Sequence, residues 1–322
     1  MTRPAVRRRR RRLLLLLALL ALAIVALALL LWYVLAGLLP KPAPPGPPGP
    51  PLPQSQPASC PDVQFVAIPG TWESTDADDP HAPAANPAAL LLNVTRPVQE
   101  QFPAGRVDVY TVPYVAQFSN PIALPPDGQQ SYNNSRTEGT RRTTEVLSGM
   151  HANCPLTTFV LTGFSQGAVI AGDLAARIGA GDGPVPADQV LGVTLIADGR
   201  RVAGQANEIG ADPSGIGAEV ALRGIQVPGI SMTGPRDGGF GALADRVNTI
   251  CAPGDLICDA PRNALTPTNI LGSVQTLLGA VGNPVHGQYA SFVVDPNGTT
   301  ATQWTAAWAS ALIDGAPQPP HS

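Results

Sequence analysis

Between residues 64 and 234 five short, almost uninterrupted apolar runs recur: VQFVAI around residues 64–68, RVDVYTV at 106–112, TTFVLTG at 157–163, VLGVTLIA at 190–197 and GIQVPGISMTG at 224–234. Runs this short with no polar face suit strands buried on both sides, as in a parallel sheet. The segments between them have helical character: AALLLNVTRPVQEQF, SRTEGTRRTTEVLSGMHANC and QGAVIAGDLAARIGA, with NILGSVQTLLGAV and ATQWTAAWASALIDG near the end. Strand and helix alternating in this order predict an α/β fold. Its central, mostly parallel sheet is flanked by helices and carries its reactive groups at the carboxyl ends of the strands.

The first 59 residues are of another kind. Arg3 and the run Arg7 to Arg12 precede Leu13 to Leu39, a stretch of 27 residues without a charge. As a helix it would rise roughly 40 Å against a hydrocarbon core of about 30 Å, which predicts one transmembrane helix rather than a cleaved signal. The arginines hold residues 1–12 in the cytoplasm, so everything after Leu39 is expected outside the cell membrane, in the envelope. Residues 40–59 are proline-rich and read as an extended stalk. The expected α/β domain is then 60–316, with a polar tail at 317–322. Seven arginines and Lys41 but no acid lie in the first 59 residues, leaving the outer domain 12 basic against 23 acidic residues, a net charge near −11. That balance excludes nucleic acid as a partner and lipid held by charge alone. The sequence sets no oligomeric state; a monomer is favoured.

Chemistry enters at Gly163-Phe164-Ser165-Gln166-Gly167, a G-x-S-x-G pentapeptide. An apolar strand precedes it and a helix-like segment follows, the context in which such a turn lifts a nucleophilic serine above a sheet. In this fold type the partners follow in the order serine, acid, histidine, which removes His81 and His151 and leaves His286, in GNPVHGQYAS, ahead of the tail residue His321. Among the acids, Asp198 ends a strand, and Asp237, Asp245, Asp255 and Asp259 lie between the last strand and His286. Asp255 is the choice, with Asp198 its rival. Asp255 sits in Cys251-Ala-Pro-Gly-Asp-Leu-Ile-Cys258, where a disulfide would fix the carboxylate. The backbone N–H of Gln166 is one expected oxyanion donor. Thr71, in the loop Pro69-Gly70-Thr71-Trp72-Glu73 after the first strand, is the candidate for the other, with a polar turn residue beside a glycine as the equal alternative from spacing alone. The four exported cysteines, Cys60, Cys154, Cys251 and Cys258, suggest two disulfides, with three pairings open. Zinc-ligand spacing is absent.

As a set, Gly70-Thr71, GFSQG, CAPGDLIC and the later His286 resemble the cutinase family of serine esterases. The resemblance implies an α/β-hydrolase fold, the pairing Cys60 to Cys154 and Cys251 to Cys258, and a Ser165, His286, Asp255 triad with Thr71 and Gln166 as oxyanion donors. No metal or organic cofactor is required. With the anchor and stalk, the chain looks most like the membrane-anchored cutinase-like proteins of mycobacteria and related actinobacteria, described as envelope lipid hydrolases with phospholipase and thioesterase activity linked to mycolic-acid metabolism. The substrate implied is a lipid ester or thioester. Two departures stand out. Thr71 replaces the family's common serine, and 31 positions separate Asp255 from His286, an insertion expected to add a helix beside the site. An inactive hydrolase fold serving as an envelope binding module is the alternative. A peptidoglycan-acting serine enzyme is excluded, because Lys41, the chain's single lysine, cannot supply an S-x-x-K dyad to the outer domain.

Overall fold

The computed structural model of the protein describes residue 17 and residues 20–32, 53–120, 123–262 and 283–322. It divides into two units, Met1–Pro51 and Leu52–Ser322. In the first, residues 20–32 are helical with exposed side chains, and the flanks of the expected 13–39 span lie outside the described residues. Among the described residues no helix is long and apolar enough to cross a membrane. The expected helix NILGSVQTLLGAV also lies outside the described residues.

The second unit is built on strands β1 (Val63–Ile68), β2 (Val107–Thr111), β3 (Thr158–Phe164), β4 (Val190–Ile196), β5 (Asn207–Glu208) and β8 (Val247–Ile250). They form a six-stranded sheet in the order β2-β1-β3-β4-β8-β5, and every pairing is parallel. Four of the five apolar runs therefore occupy the sheet as expected.

The fifth does not. Residues 224–234 form a two-stranded antiparallel hairpin, β6 (Gln226–Val227) and β7 (Ile230–Ser231), separate from the main sheet. Pro228 lacks the N–H a sheet interior needs, and Gly229 turns the chain at φ 79°, so the run folds back on itself. The place expected for it is taken by β8, whose sequence VNTI carries Asn248 and Thr249 and gave no continuous apolar signal.

Helices cover both faces. α1 (Leu92–Gln101) and α5 (Ala301–Gly315) pack with Val63, Phe65, Val107 and Val109 on one side. α2 (Tyr132–Asn153) and α3 (Gln166–Gly179) pack with Val66, Ile68, Leu161 and Val193 on the other. Alternate residues of β1 thus enter different cores, which is why its run shows no polar face. α2 buries Tyr132, Ser135, Gly139, Thr143 and Leu147, one stripe at helical spacing, and Ser131 caps its start by accepting the Asn134 N–H. α5 opens with a capping box between Thr300 and Gln303. The short helix α4 (Ala218–Ala221) leads into the hairpin.

The chain runs from β1 to β2 on one side and then crosses to β3 on the other, which opens a crevice beyond the carboxyl ends of β1 and β3. Thr71 follows β1, Ser165 follows β3 and Asp255 follows β8, so the sheet delivers all three to one edge.

Candidate active site

Ser165 is the single residue between β3 and α3, with φ 54° and ψ −117°, a conformation rarely taken by a residue with a side chain. The neighbouring glycines make that bend possible. A Cβ on Gly163 would stand 2.3 Å from the Gly167 carbonyl oxygen, and one on Gly167 would stand 2.0 Å from that of Ile68. Either contact is far inside van der Waals distance.

From this elbow the Ser165 hydroxyl lies 2.8 Å from Nε2 of His286. His286 occupies a 3₁₀ turn, Pro284–Gly287, whose start is capped by the Asn283 side chain. Its Nδ1 lies 2.9 Å from Oδ2 and 3.1 Å from Oδ1 of Asp255. The imidazole stacks on Phe164 at a centroid distance of 5.0 Å and meets Tyr289 edge-on. Asp255 is fully buried between the paired Cys251 and Cys258. Its carboxylate also accepts the Tyr289 hydroxyl at 2.7 Å and the Ile257 N–H at 3.0 Å. Burial, and next the adjacent Asp255, push the Tyr289 phenol well above its usual range, so it stays a donor. The structure thus brings Ser165, His286 and Asp255 into one hydrogen-bonded line.

Thr71 lines the same cleft, about 120 Å³ in volume, together with Trp72, Phe118, Phe164, Ser165, Ile257 and His286. Gln166 opens α3, and the first N–H groups of a helix have no acceptor within it. The loop bearing Thr71 is held by Glu73, whose carboxylate accepts the N–H of Gly70 at 2.9 Å and that of Leu90 at 2.6 Å. Burial raises the pKa of Glu73 above the usual carboxylate range; these two N–H bonds and the nearby His286 oppose the shift.

The other candidates lie elsewhere. Asp198 is buried against Arg236, with contacts of 2.6 and 3.0 Å, and Asp259 accepts the Gly215 and Gly254 N–H groups. His81 pairs with Asp108, and His151 lies in the last turn of α2. His321, in the expected polar tail, bonds Asp62 at 2.8 Å. Its neighbourhood pairs with Gln56, at the end of the expected stalk. The remaining disulfide joins Cys60 to Cys154, so both bridges follow the implied pairing. Tyr289 and Glu73 escaped the sequence reading. Tyr289 is three residues past His286, yet a lone tyrosine in a turn carries no signal until its hydroxyl is seen on Asp255.

A sequence model of the Cutinase family matches residues 59–271. A carboxylesterase Culp6 homolog from Corynebacterium glutamicum is 48% identical over 268 residues, covering 81% of this chain and 84% of that protein. The chain belongs to the cutinase family. Solved structures similar to this cutinase-family chain include the catalytic core domain of an acetyl xylan esterase from Trichoderma reesei, with 19% identity, TM-score 0.48, and coverage of 80% of this chain and 100% of that one. A cutinase-like protein from Cryptococcus sp. has 16% identity and TM-score 0.45, covering 83% and 100%.

Proposed function

We propose that this cutinase-family protein is a serine carboxylic ester hydrolase of the cell envelope acting on lipid esters or thioesters. The observation that carries the reading is the unbroken contact line from Ser165 through His286 to buried Asp255. In the mechanism, Ser165 Oγ attacks the acyl carbonyl while His286 Nε2 takes its proton. Asp255 holds Nδ1–H of the imidazole and offsets the positive charge that forms there. The N–H groups of Gln166 and Thr71 receive the charge on the tetrahedral oxygen. His286 then returns its proton to the leaving alcohol or thiol. Water enters by the same route in reverse, activated by His286, and frees the acid and Ser165.

The apolar cleft walls, Trp72, Phe118, Phe164 and Ile257, favour an acyl chain over a sugar or peptide. The sequence of residues 1–59 supports a tether that keeps an acidic domain near lipid it cannot reach by charge, raising the encounter frequency. Deleting residues 1–39 is expected to move the protein from the membrane fraction to the soluble one; unchanged fractionation would remove the anchor from the proposal.

A fluorophosphonate probe on the full chain in detergent tests the catalytic reading. Wild type should label and Ser165→Ala should not. An unlabelled wild type, or equal labelling of both, overturns it. Hydrolysis of esters and thioesters graded by acyl length then ranks the substrates.

A further inference from the structure

The two N–H groups assigned to the oxyanion belong to separate parts of the chain. Gln166 begins α3, while Thr71 lies in the loop after β1. Their separation must hold to a fraction of an ångström if both are to meet one oxygen. A buried tyrosine that takes no part in proton transfer sits between them.

Tyr114 is fully buried, and its ring lies against Gly139 of α2, where an added Cβ would come within 3.1 Å of the ring. Its hydroxyl donates to the Pro69 carbonyl at 2.6 Å and lies 3.2 Å from the outer end of the Gln166 side chain. The Ser135 hydroxyl lies 3.0 Å from that same amide end and donates to the Val115 carbonyl at 2.6 Å. Each hydroxyl has one proton, and a carbonyl has none to give. Both protons are therefore committed, and the amide must donate to the two hydroxyls. Hydrogen-bond logic, not atom placement, decides which end of a glutamine amide is nitrogen. With the nitrogen toward Tyr114 and Ser135, both of its hydrogens are used. The opposite orientation leaves Nε2 buried without a partner.

The chain of bonds runs from the Gln166 amide to the Tyr114 hydroxyl to the Pro69 carbonyl. That carbonyl and the Gly70 N–H belong to one peptide group, whose other end is held by Glu73 at 2.9 Å. The Pro69–Gly70 peptide, next to the one that carries the Thr71 N–H, is thus gripped at both ends by side chains. A rotation of that peptide would swing the Thr71 N–H away from the serine.

We propose that Tyr114 is a positioning residue for the oxyanion site, its hydroxyl tying Gln166 to the Pro69–Gly70 peptide and so fixing the spacing of the Gln166 and Thr71 N–H groups. The proposal rests on the Ser165 hydrolase reading above. Burial, reinforced by Glu73, holds the Tyr114 phenol well above its usual range, so the donor persists wherever the enzyme works.

Tyr114→Phe removes the oxygen and keeps the ring. Steady-state ester hydrolysis should be measured on the full chain in detergent, with active sites counted by end-point fluorophosphonate labelling. The expected result is a fall in kcat per counted site of roughly tenfold to a hundredfold, with KM within about twofold. Affinity for a boronate that forms a tetrahedral adduct should fall by a similar factor. A purely structural role would reduce the number of counted sites and leave kcat per site unchanged. Such an outcome overturns the proposal, as does an equal rise in KM with kcat intact. Where wild type itself neither labels nor turns over, the hydrolase reading fails, and this proposal with it. Where wild type is active and Tyr114→Phe matches it, only this proposal fails. Should Tyr114→Phe not fold, Glu73→Gln, which loosens the other end of the same peptide, carries the test with the same readouts and the same expected split.

Discussion

At the level of single residues, the two candidate acids separate by what they touch. Asp255 meets His286, Tyr289 and the Ile257 N–H, while Asp198 meets Arg236 and the Arg200 N–H. Asp255→Asn keeps the shape but presents an amide to Nδ1 and loses the charge. We expect kcat to fall by roughly 10³- to 10⁴-fold, measured per folded molecule. Asp198→Asn leaves Arg236 with less of its buried counter-charge and is expected to cost about 3 kcal/mol of stability by denaturant unfolding, with kcat per folded molecule little changed. The reverse pattern would exchange their roles. Ser165, His286 and Asp255 were legible in sequence because a nucleophile's neighbours and the order of its partners are local, countable properties. Glu73 and Tyr114 were not, because their importance lies in which backbone atoms their side chains reach, and Tyr114 reaches Gln166 from 52 positions away.

Among elements, four sheet strands were readable because burial on both faces removes every polar residue from the run. β8 was hidden by Asn248 and Thr249, and the 224–234 run misled because its Ile230 and Met232 serve a local cluster with Tyr132, Ile216 and Leu222. Among the described residues, α1, α2, α3 and α5 were legible at their buried stripes. The two disulfides act on different elements and should fail differently. Cys60–Cys154 closes a separation of 94 residues and ties the start of the domain to the end of α2. Its loss should cost about 4–5 kcal/mol in the chain-entropy picture, with kcat of the folded fraction preserved. Cys251–Cys258 closes a separation of 7 around Asp255, is expected to contribute about 2–3 kcal/mol, and its double replacement by serine should lower kcat by more than its stability loss implies. Thermal unfolding and kcat measured on both double variants would test this contrast; equal effects on activity would refute it.

Over the whole molecule, the two ends of the second unit are fastened to one another. Gln56 and His321 pair as neighbouring strands do, and the hydroxyls of Ser55 and Ser322 lie 3.0 Å apart. Arg106 donates to Asp62 and to the carbonyls of Ala316 and Pro317, just past the end of α5. Asp62, accepting from His321, raises the imidazole pKa above its ordinary value, with the Pro57 carbonyl adding to the effect. A raised folded value means the stabilisation is complete below about pH 6.5 and disappears as pH climbs through the folded value. The melting temperature of wild type should therefore exceed that of His321→Gln most clearly near pH 5.5, with the gap closing by about pH 8. A gap that widens with pH would contradict the assignment. None of this was visible in a proline-rich stretch and a polar tail read separately, because the contacts join residues more than 250 positions apart. Ends that meet also mean that this unit has no topological need of the order in which it is written. A short bridge from residue 322 to residue 53, with a new opening at the exposed turn of Gly181 and Asp182, would leave every strand neighbour and the Ser165 crevice where they are, making the domain a natural candidate for circular permutation.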